Sequence, residues 1–258
     1  RYCRLITGRS KIIVIDRCYH GSVDETFATL DEAGNTVKRE GNLGAPVDLA
    51  VTTRVVEFND LAAMEAALKH GDVAAILMEP AMTNIGIVLP EKGYLEAVEK
   101  LAKKYGAVWI IDETHTISVG PGGMTKLHKL KPDMLTIGKA IAGGLPTGTF
   151  GMTKDIADQI AAKVKREIVD TGGIGSTLAG NALSAAAMRV TLKKVLNEKN
   201  FKKMIALGTR WSDGVDAAIK EFGLPWHCNR LGARGEYIFA SKAPRTGKEA
   251  ADGGDFEL

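Results

Sequence analysis

The feature that most constrains this chain is a series of short apolar runs without polar alternation, separated by longer stretches of helical periodicity. Lys11-Ile-Ile-Val-Ile-Asp16, Arg54-Val-Val-Glu-Phe58, Ala74-Ala-Ile-Leu-Met-Glu79 and Ala107-Val-Trp-Ile-Ile-Asp112 each read as a strand. Met134-Leu-Thr-Ile-Gly138 and Thr149-Phe-Gly-Met-Thr153 read as two more. Between them, Leu61, Met64, Ala67 and Leu68 repeat at helical spacing as far as Gly71, with Asn59 or Asp60 as the cap. Tyr94, Leu95, Val98, Leu101, Ala102 and Tyr105 mark a second amphipathic helix, closed by Gly106. Strands that are apolar on both faces need cover on both faces. The expected fold is therefore α/β, a mostly parallel central sheet covered by helices.

From Asn181 to about Glu221 two helical patterns follow one another with no strand between them, and strand-like text returns at Trp226-His-Cys228 and Glu236-Tyr-Ile-Phe-Ala240. The expected division is a large domain over residues 1–190, lacking its N-terminal part, and a connecting helix with part of a smaller α+β region over 191–258. The 258 residues are 45% hydrophobic and 25% charged, which excludes a disordered tail or a fibre. A formal charge of +3 is too weak for a nucleic-acid face, and the cluster Lys163-Val-Lys-Arg166 reads as a solvated helix surface. No apolar run is long enough to span a membrane. Cys3, Cys18 and Cys228 are odd in number and show no close pair, so a reduced, cytoplasmic setting is expected. The text opens at Arg1 like the middle of a helix, which suggests a segment of a longer protein.

In open α/β sheets the ligand lies at the carboxyl ends of the strands, so the residues just beyond each strand carry the chemistry. These are Cys18-Tyr19-His20-Gly21-Ser22, Glu79-Pro80-Ala-Met-Thr-Asn84, Asp112-Glu113-Thr114-His115-Thr116 and Gly138-Lys139-Ala-Ile-Ala-Gly-Gly144. Asp112 closes an apolar run, so its carboxylate should be partly desolvated and should require a cationic partner. Lys139 stands in an almost uncharged, glycine-rich stretch, where desolvation would favour the free, nucleophilic amine. One cofactor wants both groups. Pyridoxal phosphate takes a lysine on its aldehyde as a Schiff base and a carboxylate on its pyridine nitrogen. Singly, each residue has a plainer explanation: a surface lysine, an aspartate turn former, Thr177 as a helix N-cap, Arg234 in Leu231-Gly-Ala-Arg-Gly235 as a turn residue. Only their joint placement argues for a site.

In this order and spacing, Cys-Tyr-His-Gly, Glu-Pro with Asn five residues after the Glu, Ile-Ile-Asp-Glu-Thr, Gly-Lys-Ala-Ile-Ala-Gly-Gly-Leu-Pro and Ser-Thr-Leu-Ala-Gly-Asn resemble the class III aminotransferases, fold type I. The nearest likeness is to the glutamate-1-semialdehyde aminomutase-like branch. The resemblance runs from about residue 1 to 190 and is weaker beyond. It implies that Lys139 is the Schiff-base lysine and proton shuttle, and that Asp112 keeps the pyridine nitrogen protonated. It also implies that Tyr19, beside His20, stacks on one ring face and that Thr114, where the family usually has valine, covers the other. Asn84 would approach the ring hydroxyl, with Glu79 ordering the same rim. Thr177 would hold the phosphate of a neighbouring subunit, which implies a homodimer with shared sites. Arg234 is a candidate clamp for a substrate carboxylate, its planar guanidinium suiting bidentate contact. The family's Ser-Gly-Thr-Glu-Ala-like phosphate turn is missing ahead of Arg1-Tyr-Cys-Arg-Leu-Ile-Thr-Gly-Arg-Ser10, so this segment alone is expected not to be competent.

The resemblance implies a ping-pong transaminase acting on a small-molecule amino donor and a carbonyl acceptor. Aminomutase, racemase and decarboxylase remain alternatives on the same cofactor, and a non-catalytic binding module is a further one. Trp109-Ile-Ile-Asp-Glu-Thr-His115 also resembles the magnesium box of nucleotide-driven motors. Gly138-Lys139 and Gly247-Lys248 lack the phosphate loop's earlier glycine and following hydroxyl, and a dinucleotide fingerprint from Gly173 fails at Leu178. His115 and His128 have no partners spaced for zinc.

Overall fold

The computed structural model describes residues 1–164, 175 and 177–253. After helix α1 (Tyr2–Thr7), strand β1 (Lys11–Ile15) leads into a small antiparallel hairpin of β2 (Ala28–Leu30) and β3 (Thr36–Lys38). There follow β4 (Thr53–Val56), α2 (Leu61–Lys69), β5 (Val73–Met78), α3 (Tyr94–Tyr105), β6 (Val108–Asp112), α4 (Gly123–Leu127), β7 (Met134–Ile137), β8 (Thr149–Met152) and α5 (Lys154–Lys163). The remainder holds α6 (Ala182–Val190), a π-helical turn over Thr191–Val195, α7 (Glu198–Glu221), the hairpin β9 (His227–Leu231) and β10 (Arg234–Ile238), and α8 (Gly247–Gly253).

Six strands form the main sheet in the order β4-β1-β5-β6-β7-β8. All neighbours run parallel except β8, which closes the edge antiparallel to β7, with Thr149 opposite Ile137. The α/β class expected from the unalternated runs therefore holds. Ile13 faces Arg54 of β4 on one side and Ile76 of β5 on the other. The chain thus leaves β1 toward one edge and later resumes on β1's opposite side. Such a reversal opens a crevice beyond the carboxyl ends of the strands.

Burial explains why these strands sit centrally. Ile13, Ile15, Ile76, Met78, Trp109 and Ile111 are sealed against Met64 and Leu68 of α2 and Leu95 and Val98 of α3. On the other side Ala74, Ala75, Val108 and Met134 meet Cys3 of α1 and Ile156 and Ile160 of α5. Each large apolar side chain so enclosed contributes about 1.5–3 kcal/mol relative to exposure. The helices also begin and end for local reasons. Asp60, one of the two candidate caps, accepts from the Ala63 amide at 2.8 Å. Asn59 instead accepts from the Glu91 amide at 2.8 Å and so ties two rim loops together. Gly106, left-handed at φ 63°, returns its N–H to the last turn of α3.

One plainer expectation is corrected. Thr177 lies in a turn, and Asn181 caps α6 by accepting from the Ser184 amide at 2.9 Å, because the helix starts a full turn later. Lys163 ends α5 and donates to the Leu5 and Ile6 carbonyls, while the rest of the basic cluster, residues 165–166, lies outside the described residues. Among the described residues no helix is long and apolar enough to cross a membrane.

The β9–β10 hairpin is docked onto the sheet's rim through its tip. Ala233 donates to the Ser118 carbonyl at 3.0 Å, and the Ser118 hydroxyl donates to the Leu231 carbonyl at 2.9 Å. Gly232 turns the tip at φ 63°, and a Cβ there would overlap the Ser118 carbonyl oxygen and Val119 Cα. Both obstacles are backbone, so no side-chain rotation relieves them. Gly232→Ala is expected to cost about 1–3 kcal/mol and to lower Tm by several degrees. A melting curve unchanged from the parent would show that the tip is not clamped.

Candidate active site

Strands β1, β5, β6 and β7 are adjacent, so the loops leaving their carboxyl ends converge on one place. They enclose an open cavity of about 590 Å³. Tyr19 and His20 reach it from the loop after β1, Glu79 from β5, Asp112, Thr114 and His115 from β6, and Lys139 from β7. Its size suits a small-molecule ligand.

Asp112 is the last residue of β6 and only 8% exposed. Its Oδ2 lies 2.9 Å from His20 Nδ1, and its Oδ1 accepts the Thr114 amide at 3.0 Å. Burial alone would push this carboxyl up. The hydrogen bond and charge of His20, with the Thr114 contacts, outweigh it and hold the group below its ordinary value. The side chain that meets the Asp112 carboxylate is thus His20. Glu79 is sealed to 3% exposure, accepts from the Thr83 hydroxyl with Oε2, and has no partner for Oε1 among the described residues. Burial pushes its carboxyl up, Thr83 and His20 opposing. Tyr19 stands half-exposed on the cavity wall, its ring tilted against Phe27 at 5.8 Å.

Lys139 opens a short 3-10 turn over Lys139–Ala142 with φ +50°, a left-handed conformation that costs a non-glycine residue about 1–3 kcal/mol and concentrates at functional positions. It is exposed, which corrects the expectation of a desolvated lysine. The reason is local: Gly143, Gly144, Leu145 and Pro146 are themselves exposed, and glycines bring no side chains to cover an amine. Its Nζ lies 2.7 Å from His115 Nε2.

Three predicted residues do not line this cavity. Asn84 lies on a separate, apolar cavity of about 460 Å³ with Trp211 and Tyr237. Thr177 is exposed. Arg234, the candidate clamp, has its fork engaged by the protein. Nη1 donates to His115 Nδ1 at 2.6 Å, while Nη2 donates to the Thr83 carbonyl at 3.0 Å and to Glu236.

His115 is the residue that sequence reasoning passed over, having weighed it only as a metal ligand and as part of a magnesium box. Its place three residues past the strand-ending Asp112, in a loop already marked as rim, was the usable signal. Burial, then the charges of Lys139 and Arg234, push its pKa down to about 4, so the ring is neutral near pH 7. Glu113, the neighbouring member of the magnesium-box pattern, turns away from the cavity. It accepts from the Met124 amide at 3.1 Å, from the Thr125 amide and hydroxyl at 2.6 Å, and from the Thr116 hydroxyl. It fastens α4 to the rim.

An ionised, buried carboxylate opposite a primary amine, with an aromatic face beside them, is a donor set suited to a pyridine ring bearing an aldehyde. Residues 2–223 match the aminotransferase class-III family, and the chain belongs to that family. Within it, the chain is similar to glutamate-1-semialdehyde 2,1-aminomutase of Anaeromyxobacter dehalogenans (strain 2CP-C), at 35% identity over 94% of this chain and 55% of the relative. The same-named enzyme of Opitutus terrae is 36% identical over 100% of this chain and 60% of its own length. A solved glutamate-1-semialdehyde-aminomutase from Pseudomonas aeruginosa PAO1, in complex with PMP, superposes with a TM-score of 0.95 at 46% identity, covering 99% of this chain and 57% of that one. The chain spans a little over half the length of the relatives it matches. Family membership and the PMP-bound neighbour make pyridoxal phosphate the cofactor of this fold.

Proposed function

We propose that this chain carries the central part of an enzyme that moves an amino group from a small-molecule donor to a carbonyl acceptor with pyridoxal phosphate. The observation that carries the reading is the placement of Asp112 and Lys139 on one cavity, from adjacent strands, with Asp112 held in its charged form. Bound there, pyridoxal phosphate supplies an aldehyde and a ring that withdraws electrons from the reacting carbon. Lys139 supplies the amine that the aldehyde captures. As a free amine, Lys139 would take a proton from the amino-bearing carbon and deliver it to the carbon on the other side of the nitrogen. Asp112 would hold the proton on the ring nitrogen, and its hydrogen bond to His20 helps keep Asp112 ionised. Tyr19 and Thr114, both on the cavity wall, would cover the faces of the ring, and Glu79 would order the same rim. With Arg234 tied to Thr83, Glu236 and His115, we assign it to supporting His115, and a carboxylate clamp would need it released.

A second reading, an intramolecular shift of the amino group, is favoured by the relatives named as aminomutases. A substrate carrying a ¹⁵N amino group separates the two. Label appearing on an added carbonyl acceptor supports transamination, whereas label retained on a rearranged carbon skeleton supports the shift. Label in neither, with the substrate unchanged even in a longer chain that carries the upstream phosphate turn, would leave only the binding-module reading.

We also propose a homodimer. Leu178 and Leu183 are 74% and 68% exposed, and Val190, Leu192 and Val195, further along the same stretch of chain, are exposed as well. Its exposure suits Thr177 to a phosphate in the partner's site. Sedimentation of the protein as a monomer at micromolar concentration would count against that assignment.

A further inference from the structure

Lys139 stands where a lysine is strained, and a strained backbone persists only when its surroundings fix it. The 3-10 turn over Lys139–Ala142 opens at φ +50° on Lys139 and closes on Gly143, left-handed at φ 61°. Between these ends Ile141 and Ala142 are sealed to 1% and 2% exposure, while Lys139 lines the cavity. One end of the turn is therefore anchored by β7, and its centre is pegged into the protein. The other end meets the helix behind it. α6 packs against the turn, and a Cβ on Gly143 would come within 3.3 Å of Thr191 Oγ1. Thr191 is itself buried. It also marks a change of helical pitch. Its N–H is shared between the Ala187 and Met188 carbonyls at the end of α6, and its carbonyl accepts the Leu196 amide at 2.9 Å, across the wider π turn. Such turns are rare, and they gather at functional positions.

We propose that Thr191, at the head of the π turn, is a positioning residue: seated against Gly143, it holds the turn that aims Lys139 into the cavity. The inference rests on the reading of Lys139 as the amine that captures pyridoxal phosphate, and it adds what keeps that amine aimed. The physical reason is shape. Gly143 brings no side chain of its own, so Thr191 comes close and denies the turn other backbone arrangements. Valine is branched at Cβ like threonine and has nearly its outline, so it should serve as well. Alanine leaves a gap into which Gly143 can move, and the contacts lining that gap are lost. Lys139 would then relax toward ordinary φ values, and its side chain would leave the cavity wall.

The experiment is made on a longer chain that carries the upstream phosphate turn. It has two readouts: amide hydrogen exchange in the 139–144 peptide, and the rate of pyridoxal phosphate capture at Lys139, trapped with borohydride. Thr191→Ala is expected to speed exchange in that peptide about fivefold and to slow capture about as much, with the β5 and β6 peptides exchanging as in the parent. Thr191→Val should match the parent in both, a rescue by shape. Gly143→Ala should slow capture more in the parent than in the Thr191→Ala background, where its methyl group finds room. Exchange left at the parental rate by Thr191→Ala would overturn the inference. Exchange quickened equally in every peptide would also overturn it, since Thr191 would then serve the fold at large. So would Thr191→Val behaving like Thr191→Ala, or additive effects of Gly143→Ala and Thr191→Ala. A parent that captures nothing at Lys139 sinks the reading of Lys139 and this inference together. Capture by the parent and by Thr191→Ala at one rate sinks the inference alone.

Discussion

Lys139→Ala is expected to abolish borohydride-trapped pyridoxal phosphate on the Gly138–Gly144 peptide and to lower turnover by about 10³–10⁴-fold. The substitution removes both the capturing amine and the base that moves the proton. It leaves the fold intact for a specific reason. The strained φ of +50° at position 139 is felt through Cβ, which alanine also carries, so the backbone cost is unchanged. The lysine side chain is exposed, and among the described residues it hydrogen-bonds to His115. Near-parental turnover in this variant would refute the assignment, and a collapsed melting temperature would show that the residue serves the fold instead.

Asp112→Asn keeps shape and removes charge. The amide oxygen can still accept from the Thr114 amide, so the end of β6 should hold. What is lost is the carboxylate opposite the ring nitrogen, and a loss of about 10²–10³ in turnover is expected by analogy with removal of one preorganised electrostatic partner. Stability should follow with a defined sign. The folded-state carboxyl of Asp112 lies below its unfolded value, so its ionisation stabilises the fold above the ordinary carboxylate range and ceases to do so as pH falls through the depressed value. The parent protein should therefore melt higher than Asp112→Asn near pH 7, with the gap closing on acidification. A gap independent of pH would mean that the carboxylate's charge is not what Asp112 contributes.

The sheet and four of its loops were legible because β1, β5 and β6 are largely buried and so read as unbroken apolar runs, while β7 keeps a mostly apolar run although only Met134 in it is fully buried. The same logic placed Tyr19, His20, Glu79, Asp112, Thr114 and Lys139 at strand ends, and the structure brings all six to one cavity. The small hairpin β2–β3 was not anticipated. Its strands are three residues each, too short for a period of two to stand out. Asn84 shows a different limit. It follows β5 by six residues, far enough for the loop to carry it past the cavity and against Trp211 and Tyr237.

What the sequence determined by itself was the class of fold, the order of the chemical residues and the family whose pattern they follow, because these depend on local periodicity and spacing along the chain. Tertiary structure alone decided the electrostatic pairings. His20 meets Asp112 across 92 residues, and Arg234 meets His115 across 119. No local periodicity links positions so far apart. Tertiary structure also decided that Lys139 stands exposed at a left-handed turn rather than desolvated, since exposure depends on which neighbours pack over the loop. Charge state in a site follows from those distant neighbours, and only the folded chain brings them within hydrogen-bond reach.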